Sequence, residues 1–159
     1  MQVRENEMNR DNIRFDGDNI SLAATMVDKL TTTIDILYYL MGRREEEAFV
    51  IMLVSAQNID VNTLLLKEKR NTDILFEIDK EESLYVLVCQ GTKIDGGYYF
   101  GERVLRSMKS ENADDIYCVE LEVKTTAYDM KYVIFKLIEI YIKARQDKNE
   151  GELVFKTLH

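Results

Sequence analysis

Arg70 and Asp73 are the two residues whose types and spacing most invite chemistry. They stand as Arg70-Asn-Thr-Asp73, directly before a β-rich run. Arginine is the side chain best shaped to fork onto an anion, yet from spacing alone the plainer reading is a surface charge pair at i,i+3. The carboxylates Glu77, Asp79, Glu81 and Glu82 crowd the next turn. Their alternation and the intervening Lys80 scatter them, which suits a solvated turn better than a metal cluster. Gly96-Gly97 lacks the remainder of any phosphate-cradling loop and reads as a strand-to-helix turn. Cys89 and Cys118 fall inside apolar runs and read as packing residues. The single histidine, His159, excludes most histidine-based catalysis and most zinc sites.

The elements that must position these residues follow from periodicity. Leu22, Met26, Leu30, Ile34, Leu37 and Met41 recur every three or four residues, which predicts a long helix capped by Asp18 or Ser21 and ending near Gly42. Its stripe is either core or a seam for a second copy or a partner, through residues 21–42. Residues 49–54 form a continuous apolar run, as in a strand covered on both faces. A short helix over 60–69 precedes two β-rich runs, 74–78 and 84–89, which flank a polar hairpin turn. A helix over 94–108 leads to a strand over 116–123. Tyr117, Val119, Leu121 and Val123 line one face of that strand, and Cys118, Glu120 and Glu122 a wet one. A helix from Met130 to Tyr141 and a short strand over 153–155 complete the order. Residues 1–19 are polar and read as a flexible lead-in, 20–44 as an N-terminal helix, and 45–159 as the main domain. The fold class is α+β: a ferredoxin-like β-α-β-β-α-β core, its helices on one face of an antiparallel sheet, with an additional C-terminal α-β and the N-terminal helix.

Composition narrows the function classes. At 159 residues, 46% of them hydrophobic, the chain suits one domain with a real core. A net charge of -8 counts against nucleic-acid binding, which needs lysine and arginine to neutralise phosphates. Two cysteines make no disulfide framework, so a reducing cytoplasm is expected. The polar start has no signal-peptide core, and 49–54 is far too short to insert in a membrane.

The stretch Arg70-Asn-Thr-Asp73-Ile-Leu-Phe-Glu-Ile-Asp79-Lys-Glu-Glu-Ser83 resembles the GGDEF (diguanylate cyclase) family. There an RxxD inhibitory site precedes the Gly-Gly-Asp-Glu-Phe hairpin at the same offset. The signature turn becomes Asp79-Lys80-Glu81-Glu82-Ser83, in which only Glu82 is identical and Glu81 replaces Asp. The element order is similar too. Ile140-Tyr141-Ile-Lys-Ala144 is similar to the family's Leu-Tyr-x-Ala-Lys helix, and 35–44 to its Asp-x-Leu-Thr-x-Leu-x-Asn-Arg-Arg helix.

The departures imply loss of catalysis. The family places a metal-binding Asp just after the first strand, where this chain has Val54-Ser55-Ala56-Gln57. Side chains replace the turn glycines that let backbone approach the nucleotide, and part of the substrate-binding helix is missing between Ser55 and Arg70. In the family the RxxD motif grips cyclic di-GMP, the Arg on phosphate or guanine and the Asp accepting from guanine N–H groups. An Arg on the helix after the hairpin completes the site, a role that Arg103 or Arg106 fits by position. The resemblance thus implies a catalytically inactive, bacterial, cytoplasmic receptor for cyclic di-GMP that signals to a protein partner or as a homodimer. The other expectation is a ligand-free interaction scaffold on the same fold.

Overall fold

The computed structural model describes residues 13–44 and 47–159, so most of the expected lead-in, residues 1–12, lies outside the described residues. The long apolar stripe forms one helix, α1 (Gly17–Gly42). It starts earlier than the sequence suggests because Asp16, rather than Asp18 or Ser21, is the N-cap. The Asp16 carboxylate accepts from the Asn19 backbone at 2.8 Å, and the Asn19 side chain accepts from the Asp16 backbone at 3.0 Å. This reciprocal pair satisfies two of the helix's orphan donors.

Then follow β1 (Phe49–Gln57), α2 (Val61–Glu68), β2 (Asp73–Asp79), β3 (Leu84–Gln90), α3 (Ile94–Ser110), β4 (Asp114–Val123), α4 (Met130–Gln146) and β5 (Leu153–Leu158). The strands make one sheet in the order β2-β3-β1-β4-β5. All pairings are antiparallel except β4 with β5, which is parallel. The expected α+β class, a ferredoxin-like core with an added C-terminal α-β, is the fold observed.

The layering differs from expectation. β1 is apolar on both sides, so helices on one face alone would leave half of it wet. Val50, Met52 and Val54 pack beneath α2 and α3, with Leu65, Val104 and Met108. Phe49, Ile51 and Leu53 pack on the opposite face beneath α1 and α4, with Met26, Leu30, Ile34 and Leu137. The stripe of α1 is therefore core. Met26, Leu30 and Ile34 are fully buried within their own chain, so the apolar stripe of 21–42 is not itself a seam for a second copy or partner.

β4 brings a second correction. Glu120 and Glu122 were expected on a wet face, yet α3 lies over them and both are buried. Two glycines allow this approach. A Cβ on Gly97 would stand 3.0 Å from Val50 Cγ2, and one on Gly101 would stand 2.8 Å from both Glu120 Oε1 and Leu153 Cδ2. With Gly97, Gly101 and Val104 against the sheet, the helical period turns Tyr99 and Arg103 outward. Among the described residues, no helix is long and apolar enough to cross a membrane.

Candidate functional site

Arg70 sits in the tight connection between α2 and β2, and the turn is built around Asp73. The Asp73 carboxylate accepts from the Arg70 backbone at 2.8 Å, and the Asp73 backbone donates to the Arg70 carbonyl at 3.1 Å. The same carboxylate takes Arg70 Nη2 at 2.8 Å and Nε at 3.1 Å. Nη2 also donates to the Gln90 carbonyl at 3.0 Å and to Thr92 Oγ1 at 2.6 Å, at the end of β3. The bonds to Asp73 hold the Arg70 proton more firmly than usual, raising its pKa. The Asp73 side chain is 0% exposed while that of Arg70 is 49% exposed. Asp73 thus orients Arg70, and its buried carboxylate is engaged by the backbone and side chain of that residue. Among the described residues, no hydrogen bond uses Arg70 Nη1.

Arg103 comes to the same place from α3. Its Nε donates to Glu68 Oε2 at 3.0 Å and its Nη2 to the Glu68 carbonyl at 2.9 Å. Its guanidinium also lies 5.1 Å from the centre of the Phe100 ring. Ser107 donates to Glu68 Oε1 at 2.9 Å, so the last residue of α2 holds α3 at two points. Arg70, Cys89, Thr92, Gly96, Tyr99, Phe100 and Arg103 line one open cleft of about 120 Å³. Arg106 is exposed one turn further along α3, about 4.5 Å away at the helical rise, and does not line it. The structure therefore brings Arg70 and Arg103 together, with Asp73 behind, and leaves Arg106 outside.

Thr92, the Gln90 carbonyl, Glu68 and Tyr99 complete this environment, and the sequence reading missed them. A signal existed for two of them: Tyr99 lies four residues before Arg103 on the same helical stripe, and Glu68 lies two before Arg70. Cys89 sits at the floor, where burial pushes its thiol pKa far up and keeps it inert.

The signature hairpin lies at the other end of β2 and β3. The Asp79 carboxylate accepts from the backbones of Glu81 and Glu82 at 3.0 and 3.2 Å, closing the turn on itself. The turn carboxylates are exposed, and no cluster of three potential metal ligands exists among the described residues. Beside the turn, Asp16, Asp18, Asp79 and Glu82 border a polar cavity of about 620 Å³, with Arg145 engaged on the Tyr117 ring at 4.9 Å. Ser55, just where the resemblance would place a metal-binding Asp, is buried with its hydroxyl 2.6 Å from that of Tyr141. A larger apolar groove of about 740 Å³ runs along α1 and α4, walled by Ile13, Ile20, Val27 and Phe135, on the sheet face opposite Arg70.

No family model matches the sequence, and no curated protein matches it either. Solved structures do match the fold. The active GGEEF domain of a diguanylate cyclase from Vibrio cholerae superposes with a TM-score of 0.58 at 9% identity, over 74% of this chain and 88% of that one. Diguanylate cyclase SiaD from Pseudomonas aeruginosa, in complex with its activator SiaC, superposes with a TM-score of 0.64 at 12% identity, over 97% of this chain and 68% of that one. The GGDEF domain of DgcB from Caulobacter crescentus, in complex with c-di-GMP, gives 0.57 at 5% identity, over 76% and 84%. The chain thus has the fold of GGDEF-type diguanylate cyclase domains. At these identities the likeness speaks to fold alone.

Proposed function

We propose that the protein is a catalytically inactive GGDEF-like domain that binds cyclic di-GMP in the cleft between Arg70 and Arg103 and relays its occupancy to a protein partner. The observation that carries the reading is the convergence of two arginines, from the α2–β2 turn and from α3, on one open cleft in this fold. Each guanidinium has one edge fixed by protein acceptors, so each is pre-oriented and offers its remaining N–H groups to phosphate or to the guanine acceptor edge. The DgcB domain that shares the fold is described with c-di-GMP, and SiaD with a protein activator. Inactivity is supported by the self-closed hairpin, the hydroxyl at Ser55 and the acidic surroundings of the turn, which repel a triphosphate. Cytoplasmic placement belongs to the same proposal. For the relay, Leu66 on α2 and Ile94 and Tyr98 on α3 are exposed apolar groups on the elements that build the cleft, and Ile36 and Tyr39 on α1 are others on the opposite sheet face.

One observation favours the scaffold reading: both arginines are already neutralised from within, by Asp73 and Glu68. Titration calorimetry with cyclic di-GMP separates the two. Saturable binding lost in Arg70→Ala supports the receptor, and absence of heat at high micromolar ligand leaves the scaffold.

A further inference from the structure

Tyr99 is the most exposed large hydrophobic side chain among the described residues, at 72%, and it forms part of the wall of the arginine cleft. It lies one turn before Arg103 on α3, on the outward stripe set by Gly97 and Gly101 against the sheet. Its neighbour Tyr98 meets it edge-on, with ring centres 6.2 Å apart and planes at 76°. That contact braces the ring while leaving most of it to solvent. Three residues before Tyr99 on the same helix, Gly96 carries no side chain, and a Cβ there would touch Thr92 Cγ2 at 3.4 Å. The cleft therefore combines two cationic forks with an aromatic plate and, at Gly96, a stretch of lining without a side chain. An anion alone has no use for the plate. A nucleobase joined to a phosphodiester uses both, because every base has a π-face that stacks on an aromatic ring.

We propose that Tyr99 is the base-stacking residue of this cleft, and that it sets the preference for a purine-bearing phosphodiester over a bare anion. The inference rests on the receptor reading above and assigns that site its selectivity. The phosphodiester is held by Arg70 and Arg103, and one base lies against the Tyr99 ring. Hydroxyl chemistry is not required, so phenylalanine serves in its place.

The test uses the full chain with cyclic di-GMP and, separately, inorganic phosphate as probes, read by calorimetry. Tyr99→Ala should lose about tenfold to a hundredfold in affinity for cyclic di-GMP. Tyr99→Phe should bind within about threefold of wild type, and affinity for phosphate should be the same in all three. The Tyr99 ring-proton signals should shift on adding cyclic di-GMP and not on adding phosphate, a signature that a merely structural role does not produce. Because Tyr99 is exposed, the alanine variant should keep the wild-type unfolding midpoint. If wild type binds cyclic di-GMP and Tyr99→Ala binds it equally well, the stacking role is overturned and the receptor reading stands. If wild type does not bind at all, the receptor reading fails and the stacking role falls with it.

Discussion

At the scale of single residues, Arg70, Arg103 and Arg106 sort by geometry although the sequence treats the last two alike. Arg70 and Arg103 line the cleft and Arg106 does not. Losing a charge-assisted contact should cost about 1.5–3 kcal/mol, so Arg70→Ala and Arg103→Ala should each weaken cyclic di-GMP about tenfold to a hundredfold. Arg106→Ala should stay within about twofold, as titrations of the three variants would show. Asp73→Ala should weaken binding through Arg70, and should also destabilise the fold by about 1–3 kcal/mol because it removes the buried carboxylate around which the turn is built. Urea unfolding reads that second effect separately. Glu120 carries a different prediction. Neither of its carboxylate oxygens has a hydrogen-bond partner among the described residues. Burial, helped by the charge of Glu102, pushes its pKa from an ordinary carboxylate value up to about 9. A folded-state pKa raised above the unfolded one gives stability that is full below about pH 4.5 and is lost as pH rises through 9. The difference between wild type and Glu120→Gln should therefore grow by about 1.4 kcal/mol per pH unit across that window, with the variant increasingly the more stable. Denaturant melts at pH 6 and pH 8.5 that leave the difference unchanged would contradict the buried neutral acid.

The elements explain both what the sequence revealed and what it concealed. The β-α-β-β-α-β order, the buried central strand and the extra α-β were legible because each element carries its own period or a strand-length apolar run. The faces were not. Alternation over 116–123 correctly put Val119, Leu121 and Val123 inward, but one strand's pattern cannot reveal that α3 covers the other side. The missing information sat in a different element, at Gly97 and Gly101, whose absent side chains let α3 close over Glu120. Gly101→Ala should accordingly destabilise the protein, since its Cβ would stand 2.8 Å from a carboxylate oxygen and from Leu153. The α1 stripe was visible too, while the choice between core and seam depended on α4, which lies about a hundred residues away. Met26, Leu30, Ile34 and Leu37 each contribute about 1.5–3 kcal/mol by burial, which together rivals the ~5–15 kcal/mol holding a whole domain. A chain truncated to begin at residue 47 should lose cooperative unfolding altogether. A sharp calorimetric transition near that of the full chain would show instead that α1 is dispensable.

On the scale of the whole molecule, the two ends of the β2–β3 hairpin divide the chemistry. The turn end is acidic and self-closed, while the open end gathers Arg70, Arg103 and Tyr99 within a protein of net charge -8. Cationic groups in a negative field are local features, which is why the overall charge balance says nothing of this cleft. Incubation with GTP and magnesium or manganese should yield no cyclic dinucleotide by chromatography, because phosphoryl transfer depends on metal and positioning. Any protein-dependent product would overturn that expectation. The central claim is that the open end is a ligand site, and calorimetric titration of the full chain with cyclic di-GMP tests it most directly. The account predicts saturable binding at micromolar or lower concentration for wild type, reduced tenfold or more in Arg70→Ala and untouched in Arg106→Ala. No heat at high micromolar ligand, or equal binding by wild type and Arg70→Ala, would contradict it.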